Sequence, residues 1–183
     1  MIPQLYPRLL GSVWFDLPEP LRLLHGDKPL RARGRMRVVN GRRLLARAVL
    51  SVLRKPRASD SVDVRLEVTR DEEGETWCRT FDEVRLETWQ REATAGILEE
   101  RFGLLEFRFR LAADLGALRY EQVSASMRVG PLRLRLPVAL APKVDACERS
   151  YGPACVRVQV RVTWPPAGLI LEYDGDVHIE DHA

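Results

Sequence analysis

The sequence predicts an α+β fold, with N-terminal helices packed on a strongly curved, mostly antiparallel meander sheet or partial barrel. Three observations carry this. Apolar residues recur at helical spacing before residue 56. From residue 62 nearly to the end they alternate with polar ones instead: Val62, Val64, Leu66 and Val68 against Asp63, Arg65, Glu67 and Thr69. Turn residues punctuate the alternating runs. Period two means strands with one dry and one wet face, and sheets wetted on one face are usually antiparallel.

The elements follow in order. Leu5, Leu9, Leu10, Val13 and Trp14 mark a first helix, weakened by Gly11. Leu17-Pro18-Glu19-Pro20 breaks it and starts a short second helix, which ends near His25-Gly26. Residues 31–39 alternate arginines with Ala32, Gly34, Met36 and Val38, a strand closed by the Asn40-Gly41 turn. The next helix runs from Arg42 to Lys55 and is stopped by Pro56. Its apolar stripe is read as Leu44, Leu45, Ala48, Val49, Val52 and Leu53, with Arg43, Arg47 and Arg54 outside. The preferred reading buries Leu44, Leu45, Ala48, Val52 and Leu53 against the dry face of the sheet. A basic helix lying on a membrane surface ranks below it. Strands are expected at 62–70, 75–81, 83–89, 95–102, 104–112, 117–128, 131–136, 143–149, 154–164 and 169–179. Pro137 and Pro142 bracket a break in the sheet.

The chain has 183 residues, with 45% hydrophobic and 30% charged. That suits one domain over 1–183, with no linker or repeat. The net charge of +3 is a small difference between 29 basic and 26 acidic residues. Because arginines alternate with Glu and Asp on wet strand faces, they form no nucleic-acid footprint, and no nucleic-acid partner is expected. No basic leader with an apolar run opens the sequence. The cysteines, Cys78, Cys147 and Cys155, are odd in number. Together these point to reduced thiols and a cytoplasmic location. Cys147 and Cys155 flank a turn and could face each other on a hairpin; their pairing stays open.

Glycine-rich nucleotide loops, paired Cys-x-x-Cys and Gly-x-Ser-x-Gly elbows are absent from the sequence, so no cofactor is implied. His178-Ile-Glu-Asp-His182 resembles a small metal-binding tract, but its polar terminal setting argues against a metal site. The informative positions are charges in phase with apolar neighbours. Arg79 lies between Trp77 and Phe81, and Glu100 between Leu98 and Phe102. Both should point inward and meet, because an unpaired buried charge costs several kcal/mol. Tyr120 and Gln122 share a phase with Leu118, Tyr173 with Leu169 and Leu171, and His25 should sit near the mouth of the sheet. A few polar groups on a curved apolar surface make a candidate pocket, with Arg79, Glu100, Trp77, Tyr120, Tyr173 and His25 as its ligand-contacting set. Filled-core packing with hydroxyls at the rim is the alternative.

A run of motifs adds to this. They are Leu24-His25-Gly26, the Arg-Gly strand, residues 74–81 (Gly-Glu-Thr-Trp-Cys-Arg-Thr-Phe), Glu100-Arg101-Phe102-Gly103, residues 136–142 (Leu-Pro-Val-Ala-Leu-Ala-Pro) and Tyr173-Asp174-Gly175. In that order, over roughly residues 5 to 177, the chain resembles the bacterial family called domain of unknown function 4166. The resemblance implies no established activity. Some members look like C-terminal extensions of NAD-dependent, saccharopine-dehydrogenase-like oxidoreductases, so an oxidoreductase partner is one implication. This chain lacks the nucleotide-binding half.

Three functions are weighed. The leading one is binding of an apolar or lipid-like small molecule between the sheet and a covering helix, with Arg79 and Glu100 fixing its polar end. The alternative is an accessory or protein-interaction domain with a filled core beside an oxidoreductase. The third is an enzyme using Glu100 as acid or base.

Overall fold

A computed structural model describes residues 4–52 and 56–180. The helices are short: α1 (Leu5–Leu10), continued by a tighter turn at Gly11–Asp16, then α2 (Glu19–Leu24) and α3 (Leu44–Val52). The strands are β1 (Leu30–Asn40), β2 (Ser59–Arg70), β3 (Glu75–Phe81), β4 (Val84–Thr94), β5 (Ile97–Phe102), β6 (Leu105–Asp114), β7 (Ala117–Val129), β8 (Leu132–Arg135), β9 (Lys143–Ser150), β10 (Cys155–Trp164) and β11 (Gly168–Ile179).

All pairings are antiparallel, and ten of these strands close on themselves. The circuit runs β6-β5-β4-β3-β2-β1-β11-β10-β9-β7 and returns to β6, while β8 hangs on β7 as a flap outside the ring. This corrects the expected α+β fold with a partial barrel: the molecule is a closed β-barrel with helical accessories. Two seams make the closure. Ala32 to Asn40 of β1 pair with Ile179 to Leu171 of β11, and Ala117 to Tyr120 of β7 pair with Arg149 to Ala146 of β9. A curved sheet left open exposes unpaired N–H and C=O groups on two edges; closure satisfies both.

Alternation places the core inside the ring. Ala32, Met36, Val38, Val62, Val64, Leu66 and Val68 are buried. Their outward neighbours form cross-strand ion pairs that follow the register, Arg31 with Glu67 and Arg35 with Asp63. Close backbone approach is needed where β1 meets β11. A Cβ on Gly34 would lie 1.8 Å from the Asp176 carbonyl oxygen, and one on Gly175 would lie 2.1 Å from that of Arg35. Two motif glycines therefore serve the closing seam.

The two mouths are covered differently. At one, α1 and α2 bring in Tyr6, Leu21 and Leu24, all fully buried. At the other, α3 packs on β11 and the end of β1. Its buried face is Ala46, Leu50 and partly Val49, at spacing i, i+3, i+4. The expected stripe is wrong in phase: Leu44, Leu45 and Ala48 are exposed. The barrel already buries its dry face against itself, so α3 has only a rim to cover, and a narrow face suffices. Arg43 and Arg47 are exposed as expected. Leu53 and Arg54 lie outside the described residues, as does the side chain of Val52.

Candidate functional site

Alternation aims five of the six expected residues into the barrel, and α2 delivers the sixth. His25 follows α2 directly and is fully buried. Its Nε2 lies 2.5 Å from Oε2 of Glu148 on β9. The Tyr120 hydroxyl donates to Oε1 of Glu148 at 3.3 Å and lies 3.1 Å from the Tyr6 hydroxyl, which donates to Gln90 at 2.8 Å. Two phenol protons cannot fill all three contacts at once, so one of the three is always without a proton. Burial first, and then the charge of Glu148, hold the Tyr6 and Tyr120 phenols well above the ordinary tyrosine range. The rings of Tyr6, His25 and Trp77 stack in sequence, with centroids 3.9 Å and 5.1 Å apart.

A second polar chain borders this one. Trp77 Nε1 donates to Glu75 at 3.1 Å, and Arg70 pairs with the same carboxylate at 3.3 Å. Arg70 also donates to the backbone carbonyls of Leu24 and Lys28, tying the cap to β2. Burial raises the Glu75 carboxyl, against the opposing charge of Arg70.

The expected meeting of Arg79 and Glu100 does not occur. No ion pair within 4.0 Å joins them; Arg79 Nη1 donates instead to Thr88 Oγ1 at 3.1 Å, and its guanidinium lies 5.3 Å from the Trp77 ring centre. The register explains this. Arg79 stands opposite Leu66 and Leu86, whereas Glu100 stands in the row of Glu75, Gln90 and Phe107, further along the barrel. Their charges still interact at longer range. Burial works against the Arg79 cation, but Tyr173, Glu100 and Glu148 outweigh it and raise its guanidinium above the ordinary value. Tyr173 is buried, its phenol raised by that burial and pulled back by Arg79. The free space beside Trp77, Arg79, Glu148 and Tyr173 is about 20 Å³, room for roughly one water molecule.

Ligand-sized space lies elsewhere, in a cleft of about 500 Å³ between β7 and β9. It exists because these strands pair only as far as Tyr120, after which β7 leaves β9 and takes up β8. Gln122 spans the split, donating to the Pro142 carbonyl at 2.9 Å and accepting from the Val144 N–H at 2.7 Å. The segment between Pro137 and Pro142 folds over the opening, held by Trp164 Nε1 donating to the Leu140 carbonyl at 2.8 Å. Ala125 and Leu136 are among the apolar lining, and Arg135, Lys143 and Arg161 supply cations against one anion, Asp145.

Sequence reasoning missed several of these residues. Glu148 alternates in phase with Val144 and Ala146, and Gln90 with Leu86; the rule that singled out Arg79 applies to both. Glu99 and Glu106 carried no such signal. They point outward, yet each is 1% exposed beneath a cage of arginines: Arg91, Arg101 and Arg108 around Glu99, and Arg101, Arg108, Arg128 and Arg133 around Glu106. All three cysteines are free; Cys147 faces Gln159, not Cys155. His178 is exposed, and His182 lies outside the described residues. Among the described residues, no cluster of metal-ligating side chains occurs and no helix is long and apolar enough to cross a membrane.

Fold and site define a closed antiparallel barrel with a helical plug at one mouth and a basic cleft in its wall. The chain belongs to the family described as domain of unknown function (DUF4166), whose profile matches residues 17–177. No curated protein and no solved structure matches it.

Proposed function

We propose that this barrel is a binding module for a small molecule with an apolar body and an anionic end, held in the cleft between β7 and β9. The observation that carries this is the cleft itself. Its volume of about 500 Å³ falls in the range of small-molecule sites, and its lining mixes apolar side chains with polar and charged ones. Lys143 and Arg135 are exposed there and make no ion pair with any described residue; Arg161 shares Glu172 at 3.6 Å. Two uncommitted cations facing an apolar floor suit a carboxylate, sulfonate or phosphate. Trp77, Arg79, Glu100, Tyr120, Tyr173 and His25 are assigned a different part: a polar interior that holds the barrel wall behind the cleft and keeps its plug in place.

Native mass spectrometry of the freshly purified protein tests this directly, the expected result being a retained anionic molecule. Fluorescence titration with anilinonaphthalene sulfonate gives a second readout. Replacing Arg135 and Lys143 together by Glu is expected to weaken the probe about tenfold or more, since two charge-assisted contacts are reversed. Filling the cleft with Val144→Trp should abolish binding. A protein that carries nothing and binds the probe equally in all three forms overturns the reading.

A further inference from the structure

We propose that the α3 end of the barrel docks on an anionic membrane surface. This does not rest on the cleft reading. The inference begins with the misplaced stripe. α3 is fixed to the barrel by Ala46 and Leu50, which leaves Leu44 82% and Leu45 42% exposed. Arg42, Arg43 and Arg47 are exposed around them and form no ion pair with any described residue. The barrel wall behaves otherwise: Arg31, Arg33, Arg35 and Arg37 each face a carboxylate within 4.0 Å. From Arg42 to Arg57 the sequence contains no acidic residue at all.

The registers show what else lies at this end. Asn40 pairs with Leu171, Thr163 with Lys143, and Phe102 with Leu105, so the β5–β6 turn and the Pro137–Pro142 segment share the α3 end. Both present apolar residues to solvent: Leu104, Val138 and Leu140. The opposite mouth is closed by α1 and α2. One pole of the barrel therefore combines exposed leucines with unpaired arginines, with Asp82 and Glu83 of the β3–β4 turn as exposed acids at the same end. That combination matches an interface where apolar side chains enter the headgroup boundary while cations meet anionic lipid.

Flotation with lipid vesicles tests the assignment on the full chain. Vesicles of phosphatidylcholine with about 30% phosphatidylserine should carry the protein upward, and pure phosphatidylcholine should not. Replacing Leu44 and Leu45 together by Glu, or Arg42 and Arg47 together by Ser, is expected to cut the bound fraction about tenfold. Arg31→Ser with Arg33→Ser removes the same charge from the wall and should leave binding within about twofold. If the paired leucine change does not fold, Leu44→Ser alone takes its place. The proposal fails if the wild-type protein ignores anionic vesicles. It fails equally if the leucine variant floats as well as wild type, or if the wall control loses as much as the α3 arginine variant. Probe binding in the cleft should be unchanged by the leucine substitutions, so the two readings fail separately.

Discussion

Nε2 of His25 lies 2.5 Å from Oε2 of Glu148, across 123 residues of chain. This contact joins the end of α2 to β9 inside the barrel, with Leu24 and Trp77 excluding water around it. It makes the helical plug part of the core. Removing one partner strands the other away from water. His25→Ala or Glu148→Ala should therefore lower unfolding stability by about 3–5 kcal/mol. A double-mutant cycle should return a coupling of about 0.5–3 kcal/mol. Equilibrium urea melts measure both. Additive losses would mean that the contact between His25 and Glu148 does not itself hold the plug to the barrel.

On α3, Leu50 and Leu44 should respond oppositely to truncation. Leu50 is buried, so Leu50→Ala should cost about 2–5 kcal/mol. Leu44 is exposed, so Leu44→Ala should stay within about 0.5 kcal/mol. Thermal melts of the two variants would place the buried face of the helix without a structure.

Glu99 should make stability depend on acid. Burial works against its charge, but the hydrogen bond from Arg101 and the charge of Arg91 outweigh it and hold the carboxyl below its ordinary value of 4.5. A depressed folded value means the unfolded chain binds the proton first. The contribution is full above pH 4.5 and is lost as pH falls through the lower folded value. Glu99→Gln should thus lower Tm at neutral pH, and the gap to wild type should shrink as pH drops below that value. A gap that stays constant into acid would show that the arginine cage does not depend on the charge.

The β1–β11 seam should reject side chains at its glycines. A Cβ at Gly34 or Gly175 meets backbone oxygen, which cannot rotate aside. Gly34→Ala and Gly175→Ala should each cost about 1–3 kcal/mol or more. Hydrogen exchange should show the loss concentrated in β1 and β11. Near-neutral alanines would mean that the strands separate slightly at no cost.

The interior polar groups should not behave as the simple pair their phase suggests. Because Arg79 bonds Thr88 and stands in a different row from Glu100, the two should couple weakly. Arg79→Met with Glu100→Gln should give less than the about 0.5–3 kcal/mol seen for residues in contact. Arg79→Met with Thr88→Ala should give more. Urea melts of the three single and two paired variants decide the order.

What the sequence determined by itself was local. Period two located the strands, and the turn residues located their ends, because side-chain alternation and left-handed turn geometry are properties of a few neighbouring residues. Phase likewise told which charges look inward, as at Arg79 and Glu100, and would have told the same of Glu148 and Gln90. Only the tertiary structure decided which strand lies beside which. The pairings of β1 with β11 and of β7 with β9 join segments far apart in the chain, and no local pattern encodes them. They turned a curved sheet into a closed barrel. By doing so they removed the dry face that α3 was expected to cover and left Leu44 and Leu45 in solvent. Register set the rest: two inward-facing rows along the barrel separate Arg79 from Glu100, and the early parting of β7 from β9 opens the cleft. Hydrogen bonding between distant strands fixes both, and a strand's own residues specify its partner only through the packing that results.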